Sequence, residues 1–228
     1  MISNEPDSLD WRREKAQAVY QRLADAFGLP EWDHPTPPLD ELINTILSQN
    51  TNDRNRDVAY HNLRACFPSW EAVRDAAPES VIAAIRPAGL ANQKGPRIQA
   101  VLQQITRERG ALNLDFLFDL SAEEAFAWLK HFNGVGPKTA SIVLQFSLSK
   151  PAFPVDTHVY RVSGRIGLRP EKISVEQTHE YLAHLFLPEQ YGSGHLNLIR
   201  LGREICHARN PQCSICPVNA LCDYYHSL

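Results

Sequence analysis

Four cysteines lie within the last seventeen residues before the carboxy-terminal stub: Cys206, Cys213, Cys216 and Cys222, in the order C-x6-C-x2-C-x5-C. Thiolates this close in sequence can converge on one metal centre, and soft sulfur ligands select zinc or iron–sulfur clusters. The competing chemistry is a pair of disulfides. The amino terminus, MISNEPDSLDWRREK, is polar and lacks the apolar stretch of a secretory leader, so a reducing compartment and a metal site are expected. Zinc sites more often carry two C-x2-C knuckles. A single knuckle with unequal arms favours a cubane cluster, and four cysteine ligands leave no open position for hydrolytic metal chemistry. The fifth cysteine, Cys66, is expected to be an ordinary buried thiol on a helix face.

The second reactive arrangement is a lysine beside a glycine turn. The segment LKHFNGVGPKTASIVLQF reads as helix, tight turn, helix, with Gly134-Val135-Gly136 as the turn and Pro137 at the first helical position. Such a turn aims backbone amides outward at a helix N-terminus, which suits one phosphate. Glycines that merely turn an αα-corner would look the same. Lys138, one residue into the helix, is what favours chemistry. An ammonium is disfavoured at the positive end of a helix, and a neutral lysine there is a nucleophile for Schiff-base formation. Asp156 stands just before another helix in FPVDTHVYRVSGRIGL, where its plain role is an N-cap. His158 is expected to be structural, hydrogen-bonded near its helix start, rather than a general base. Arg161, Arg165 and Arg169 recur every fourth residue, as a phosphate-facing stripe or a solvated face. Arg209, inside a metal-tied loop, is better placed to meet phosphate.

The elements that must position these groups read as helices throughout. LDELINTILS repeats apolar residues at helical spacing, Asp53 is a candidate N-cap, and Val58, Ala59, Leu63, Cys66 and Phe67 form the next stripe. Helices are expected over about 69–77, 78–86, 94–109 (stopped by Gly110), 137–149, 157–168, 174–187 and 194–206. Ser121 with Glu124, and Ser174 with Gln177, have capping-box spacing. No segment sustains period-two alternation, so the class is all-α. The 228 residues suffice for one large or two small domains, and no apolar run could span a bilayer. A net charge of −3 offers no basic signature, so any nucleic-acid contact must rest on local cations.

Taken in order, LSQNTND, FNGVGPKTASIVL, VDTHVYRV and the cysteine tail resemble the signature segments of the endonuclease III family, over roughly residues 36–226. That resemblance implies a helix–hairpin–helix DNA glycosylase fold of two helical domains flanking a DNA-binding cleft. One is a six-helix barrel with the hairpin (36–150); the other is a [4Fe–4S] cluster domain assembled from 1–35 and 151–228. It further implies a monomer acting on damaged double-stranded DNA, with no membrane association, in the cytoplasm and, if the source is a prokaryote, at the nucleoid.

The implied activity is bifunctional: removal of oxidised or ring-saturated pyrimidines, then strand cutting 3′ to the abasic site. Lys138 matches the family's nucleophile and Asp156 its catalytic aspartate, while the four cysteines match the cluster ligands. Gln49, Asn50, Leu90, Gly134, Val135, Gly136, Lys138, Thr139 and Arg209 match DNA-contacting positions. Asn50 stands where many relatives carry the gap-filling glutamine, Leu90 matches the apolar wedge, and Pro137 replaces a common basic residue. The stretch ALNLDFLFDLSAEEAF looks longer than in compact relatives. Two other readings remain: a monofunctional mismatch glycosylase, against which Lys138 and the short carboxy terminus argue, and a non-catalytic DNA-binding or redox-sensing protein.

Overall fold

The computed structural model describes residues 8–30 and 35–228, and among these it contains twelve α-helices and no strand. The described residues divide into two compact units, 35–149 and 8–30 with 150–228.

The unit of residues 35–149 runs α2 (Pro38–Ser48), α3 (Asp53–Cys66), α4 (Trp70–Asp75), α5 (Pro78–Ala84), α6 (Ala91–Arg109), α7 (Ala122–Lys130) and α8 (Pro137–Phe146). Helix α2 is buried on the face that its spacing indicates: Leu42, Ile43, Ile46 and Leu47 have no exposed surface. It packs on α3 and α8, while α6 lies on α4 and α5 through Ile98, Leu102 and Ile105. At Gly95 a Cβ would meet Ile82 Cγ1 at 2.9 Å, so α6 approaches α5 more closely than any side chain at that position would allow. The Asp40 carboxylate accepts from Tyr60 (2.6 Å) and Trp70 (3.2 Å), tying α2, α3 and α4 together.

The other unit contains α1 (Leu9–Phe27), α9 (Thr157–Ile166), α10 (Val175–Ala183), α11 (Tyr191–Glu204) and α12 (Asp223–His226). Its core joins Ala16, Val19 and Leu23 of α1 to Val159 and Val162 of α9 and Leu198 and Leu201 of α11. Lys15 of α1 meets Asp223 at 2.5 Å, linking the amino-terminal helix to the segment after the last cysteine.

Local chemistry sets most boundaries. Ser121–Glu124 and Ser174–Gln177 both form complete capping boxes. Gly110 ends α6 at φ +71°, where a side chain would be strained. Several expectations need correction. Helix α10 ends at Ala183 rather than 187, and α11 begins at Tyr191 rather than 194. The cap of α3 is Asn52, whose side chain accepts from Asn55 N, and Asp53 is already helical. The stripe on α3 is narrower than its spacing suggests: Ala59 and Leu63 are buried, but Val58 is 43 % exposed and Cys66 is exposed. Helix α6 starts at Ala91 rather than 94, because Leu90 takes a left-handed conformation and serves as its N-cap. The segment before α7 folds into a 3₁₀ turn, Asp115–Phe118, that buries Leu117 and sets Phe116 edge-on to Trp128. Residues 1–7 and 31–34, part of the expected cluster domain, lie outside the described residues.

Candidate functional site

The hairpin and the start of α8 place Lys138 at the second position of a helix that carries no side-chain cap. The first intrahelical bond is Ala140 N to Gly136 O, 3.0 Å, so the amides of Lys138 and Thr139 precede the hydrogen-bonded ladder. Lys138 is half-buried, and no hydrogen bond or ion pair to another described residue engages it. The side chains of Val135 and Thr139 are buried, which leaves their backbones as what this turn offers outward.

The two turn glycines do different work. At Gly134 (φ +85°) a Cβ would fall 2.2 Å from Arg97 Nε, so glycine is needed both for the backbone conformation and for the guanidinium packed on it. At Gly136 a Cβ would meet nothing within 4 Å. No neighbour in the protein explains that glycine.

In the same unit, two loop tips share an uncommon geometry. Asn50 and Leu90 are non-glycine residues with φ of +53° and +50°, and both are exposed, Leu90 by 47 %. A leucine in the left-handed region costs on the order of 1–2 kcal/mol and persists only where its surroundings hold it there. Gln49, the neighbour of Asn50, faces the other way: its Nε2 donates to Gly134 O (3.1 Å), and its Oε1 accepts from Arg97 (2.9 Å).

In the other unit, Asp156 caps α9, accepting from Val159 N at 2.8 Å. The extended strap leading to it is held by two buried histidines. The ring of His179 meets Phe153 O at 3.1 Å, and that of His195 meets Pro154 O at 2.9 Å. His158 is structural in its surroundings. Its Nδ1 accepts from Arg161 (3.2 Å), and its Cβ occupies space that Gly202 leaves on α11.

The four cysteines line one recess, closed on its apolar side by Ile166, Leu201, Val218 and Tyr224. Among the described residues, no three His, Cys, Asp or Glu side chains converge tightly enough to hold a single metal ion. Zinc requires four sulfurs about 2.3 Å from one point, whereas sulfurs spread around a larger recess suit a cubane. Burial pushes the Cys216 thiol up from its ordinary value, the Val218 amide pulls it partly back, and the other three cysteines push it up further. Thiolates gathered so closely need a cationic centre among them, so the residues present fit the cluster.

Arg161, Arg165 and Arg169 turn out to be neither a phosphate stripe nor a solvated face. Arg161 donates to Cys206 O (3.1 Å) and Gly202 O (2.8 Å). Arg165 donates to His207 O (2.6 Å) and Ala208 O (3.0 Å). Arg169 donates to Tyr160 O (3.2 Å) and lies over its ring. The first two therefore brace the loop that presents the exposed Arg209. Spacing along the helix places Arg161 and Arg165 on one face, whereas Arg169 lies beyond the Gly167 cap that ends α9; carbonyl acceptors on distant segments leave no mark in the sequence. The two strap-holding histidines were missed for the same reason.

Residues 43–188 match the family model of the HhH-GPD superfamily base excision DNA repair protein. Residues 206–222 match the iron–sulfur binding domain of endonuclease III. Endonuclease III of Thermotoga maritima is 34% identical over 190 residues, covering 83% of this chain and 84% of that protein. An Arabidopsis thaliana protein whose name describes a DNA glycosylase is 43% identical over 144 residues, 63% of this chain but only 49% of that protein. A solved endonuclease III–DNA complex superposes with a TM-score of 0.81 at 26% identity, covering 94% of this chain and 97% of that one. No helix among the described residues is long and apolar enough to cross a membrane. With the hairpin, the helix-capping aspartate and the cysteine-lined recess in place, the chain belongs to the endonuclease III family of base excision DNA repair glycosylases.

Proposed function

We propose that this enzyme is a bifunctional DNA glycosylase and abasic-site lyase for oxidised or ring-saturated pyrimidines in duplex DNA, working as a monomer. The observation that carries the reading is Lys138: half-buried, engaged by no described partner, and set on an uncapped helix N-terminus. A lysine retained at such a position for structure would be expected to hold a carboxylate or carbonyl. The amides of Lys138 and Thr139, with open space beside Gly136, suit a backbone phosphate.

The damaged nucleotide is turned out of the stack, because its glycosidic carbon is unreachable inside the duplex. Asn50 and Leu90, exposed and held in the left-handed region, fill the space it leaves. The Lys138 amine attacks the sugar C1′, the bond from C1′ to the base breaks, and the base departs with the bonding pair and takes up the proton that the amine gives up. Cleavage of the C1′–O4′ bond, with a proton passing to O4′, opens the sugar ring and gives the Schiff base; loss of a C2′ proton then drives β-elimination, which breaks the C3′–O bond. Asp156 stabilises positive charge growing on the sugar. Cys206, Cys213, Cys216 and Cys222 would ligate the [4Fe–4S] cluster, and the loop tied down between the first two of them would present Arg209 to phosphate.

Borohydride trapping tests this, using wild type and Lys138→Ala on duplexes with thymine glycol, an abasic site or a uracil mismatch. A covalent adduct on the thymine-glycol duplex that the variant cannot form is the expected result. An adduct on the abasic duplex alone would overturn the assigned lesion. No adduct on any duplex, with binding intact, would overturn the lyase and point to a monofunctional glycosylase.

A further inference from the structure

The amino-terminal turns of α6 connect three segments that the sequence keeps far apart. Lys94 is 1 % exposed, among the most deeply buried charged side chains in the chain. Its Nζ donates to Leu47 O at 2.7 Å and to Ala88 O at 2.8 Å, while its backbone N–H donates to Leu90 O at 2.9 Å. One residue thus binds both ends of the turn that carries Leu90 and the end of the helix that leads to Asn50. Arg97, one helical turn further on, extends the connection. It donates to Gln49 Oε1 at 2.9 Å and packs on Gly134, whose carbonyl accepts from Gln49 Nε2 at 3.1 Å. The first turns of α6 are in turn fixed against α5 at Gly95.

A buried lysine carries a large desolvation cost, and packing alone would be served as well by methionine or leucine. What an apolar side chain cannot do is satisfy the carbonyls of two separate loops at once.

We propose that Lys94 and Arg97 are positioning residues that set the height of the Asn50 tip, the Leu90 tip and the hairpin turn relative to one another, so that the three enter DNA as one rigid piece. Neither residue contacts the reacting atoms. The proposal deepens the function proposed above, since it takes Asn50 and Leu90 as the residues that open the duplex. Discrimination between lesions then depends partly on this frame, because a rigid wedge opens a weakened pair far more readily than an intact one.

The test uses the full cluster-loaded protein and a duplex carrying a tetrahydrofuran abasic analogue with 2-aminopurine opposite. Fluorescence reports unstacking without requiring any chemistry. Arg97→Met, Lys94→Met and Arg97→Lys are compared with wild type for fluorescence gain, affinity for undamaged duplex, and melting temperature. Arg97→Met is expected to lose about tenfold in the opening equilibrium while undamaged-duplex affinity and melting stay near wild type. Arg97→Lys, which keeps a donor for Gln49, is expected to recover part of the loss. Lys94→Met is expected to show the larger loss if it folds, and Arg97→Met carries the test if it does not. Wild-type opening by Arg97→Met, or opening lost only in proportion to melting, overturns the proposal and leaves the function intact. A wild type that binds the analogue without any fluorescence gain overturns both.

Discussion

The Arg165 guanidinium donates to the Cys206 sulfur at 3.4 Å, and the same nitrogen donates to the carbonyl of His207 at 2.6 Å. One cation therefore meets both the Cys206 sulfur, a proposed cluster ligand, and the backbone of the loop that follows it. Hydrogen bonds and positive charge at a ligating sulfur raise a cluster's reduction potential, since they favour the more electron-rich state. Arg165→Met should lower the midpoint potential while absorbance near 400 nm persists (roughly where thiolate-ligated iron–sulfur centres absorb,). It should also weaken DNA binding by loosening the support of Arg209. An unchanged potential in protein with full iron content would show that this contact braces the loop and nothing more.

Gly134 and Gly136 separate a structural demand from a functional one. Gly134→Ala puts a Cβ into the left-handed region and into the Arg97 guanidinium, which must move away from Gln49. The backbone term alone costs about 1 kcal/mol, so melting should fall by several degrees. Gly136→Ala meets nothing in the protein and should fold like wild type. If phosphate occupies that open space, duplex affinity should drop several-fold, with a shallower dependence on salt. Equal affinities for Gly136→Ala and wild type would remove the phosphate from that position.

Much of this was legible in the chain because short-range chemistry decided it. The Ser121 and Ser174 boxes, the Gly110 stop and the Asp156 cap each need only three or four residues of context, and each forms as its spacing indicates. The class followed from apolar spacing alone. What stayed hidden was set at long range. Asn52 and Asp53 are both acceptable caps, and only the turn geometry chooses between them. Cys66 and Val58 lie near a helical stripe, yet the core reaches only Ala59 and Leu63. Gly134 looked like a glycine opened toward a ligand; its neighbour is Arg97, thirty-seven positions earlier. The role of Lys94 depends on carbonyls forty-seven and six residues away, which carry no side-chain signature at all.

Lys94 also gives the stability of the fold a distinctive pH dependence. Burial, and then the charge of Arg97, push its ammonium down to about 8 from 10.5. Between those values the unfolded chain holds a proton that the folded chain has released, so stability rises with pH across that window. Below about 8 both states are protonated and the cost of burying the charge is constant. The melting temperature of wild type relative to Lys94→Met should therefore shift in favour of wild type between about pH 7.5 and pH 10, by at most about 1.4 kcal/mol per pH unit. Parallel profiles for the two proteins would mean that Lys94 stays charged in the fold, held so by its two carbonyls.

Asp156 offers the sharpest division of the proposed chemistry into steps. Its Oδ1 is engaged as the α9 cap, 2.8 Å from Val159 N. Charge stabilisation matters most while the glycosidic bond breaks and positive charge builds on the sugar. It matters far less on a pre-formed abasic site, where the aldehyde is already open to attack. Asparagine caps a helix about as well as aspartate, so Asp156→Asn should keep α9 and remove only the charge. Excision of the base should fall by about a hundredfold, the scale seen when one preorganised electrostatic group is removed. Cutting of pre-formed abasic sites should fall by much less in the same preparation. Equal losses in the two reactions would instead assign Asp156 to deprotonation of the attacking lysine, a step that both reactions share.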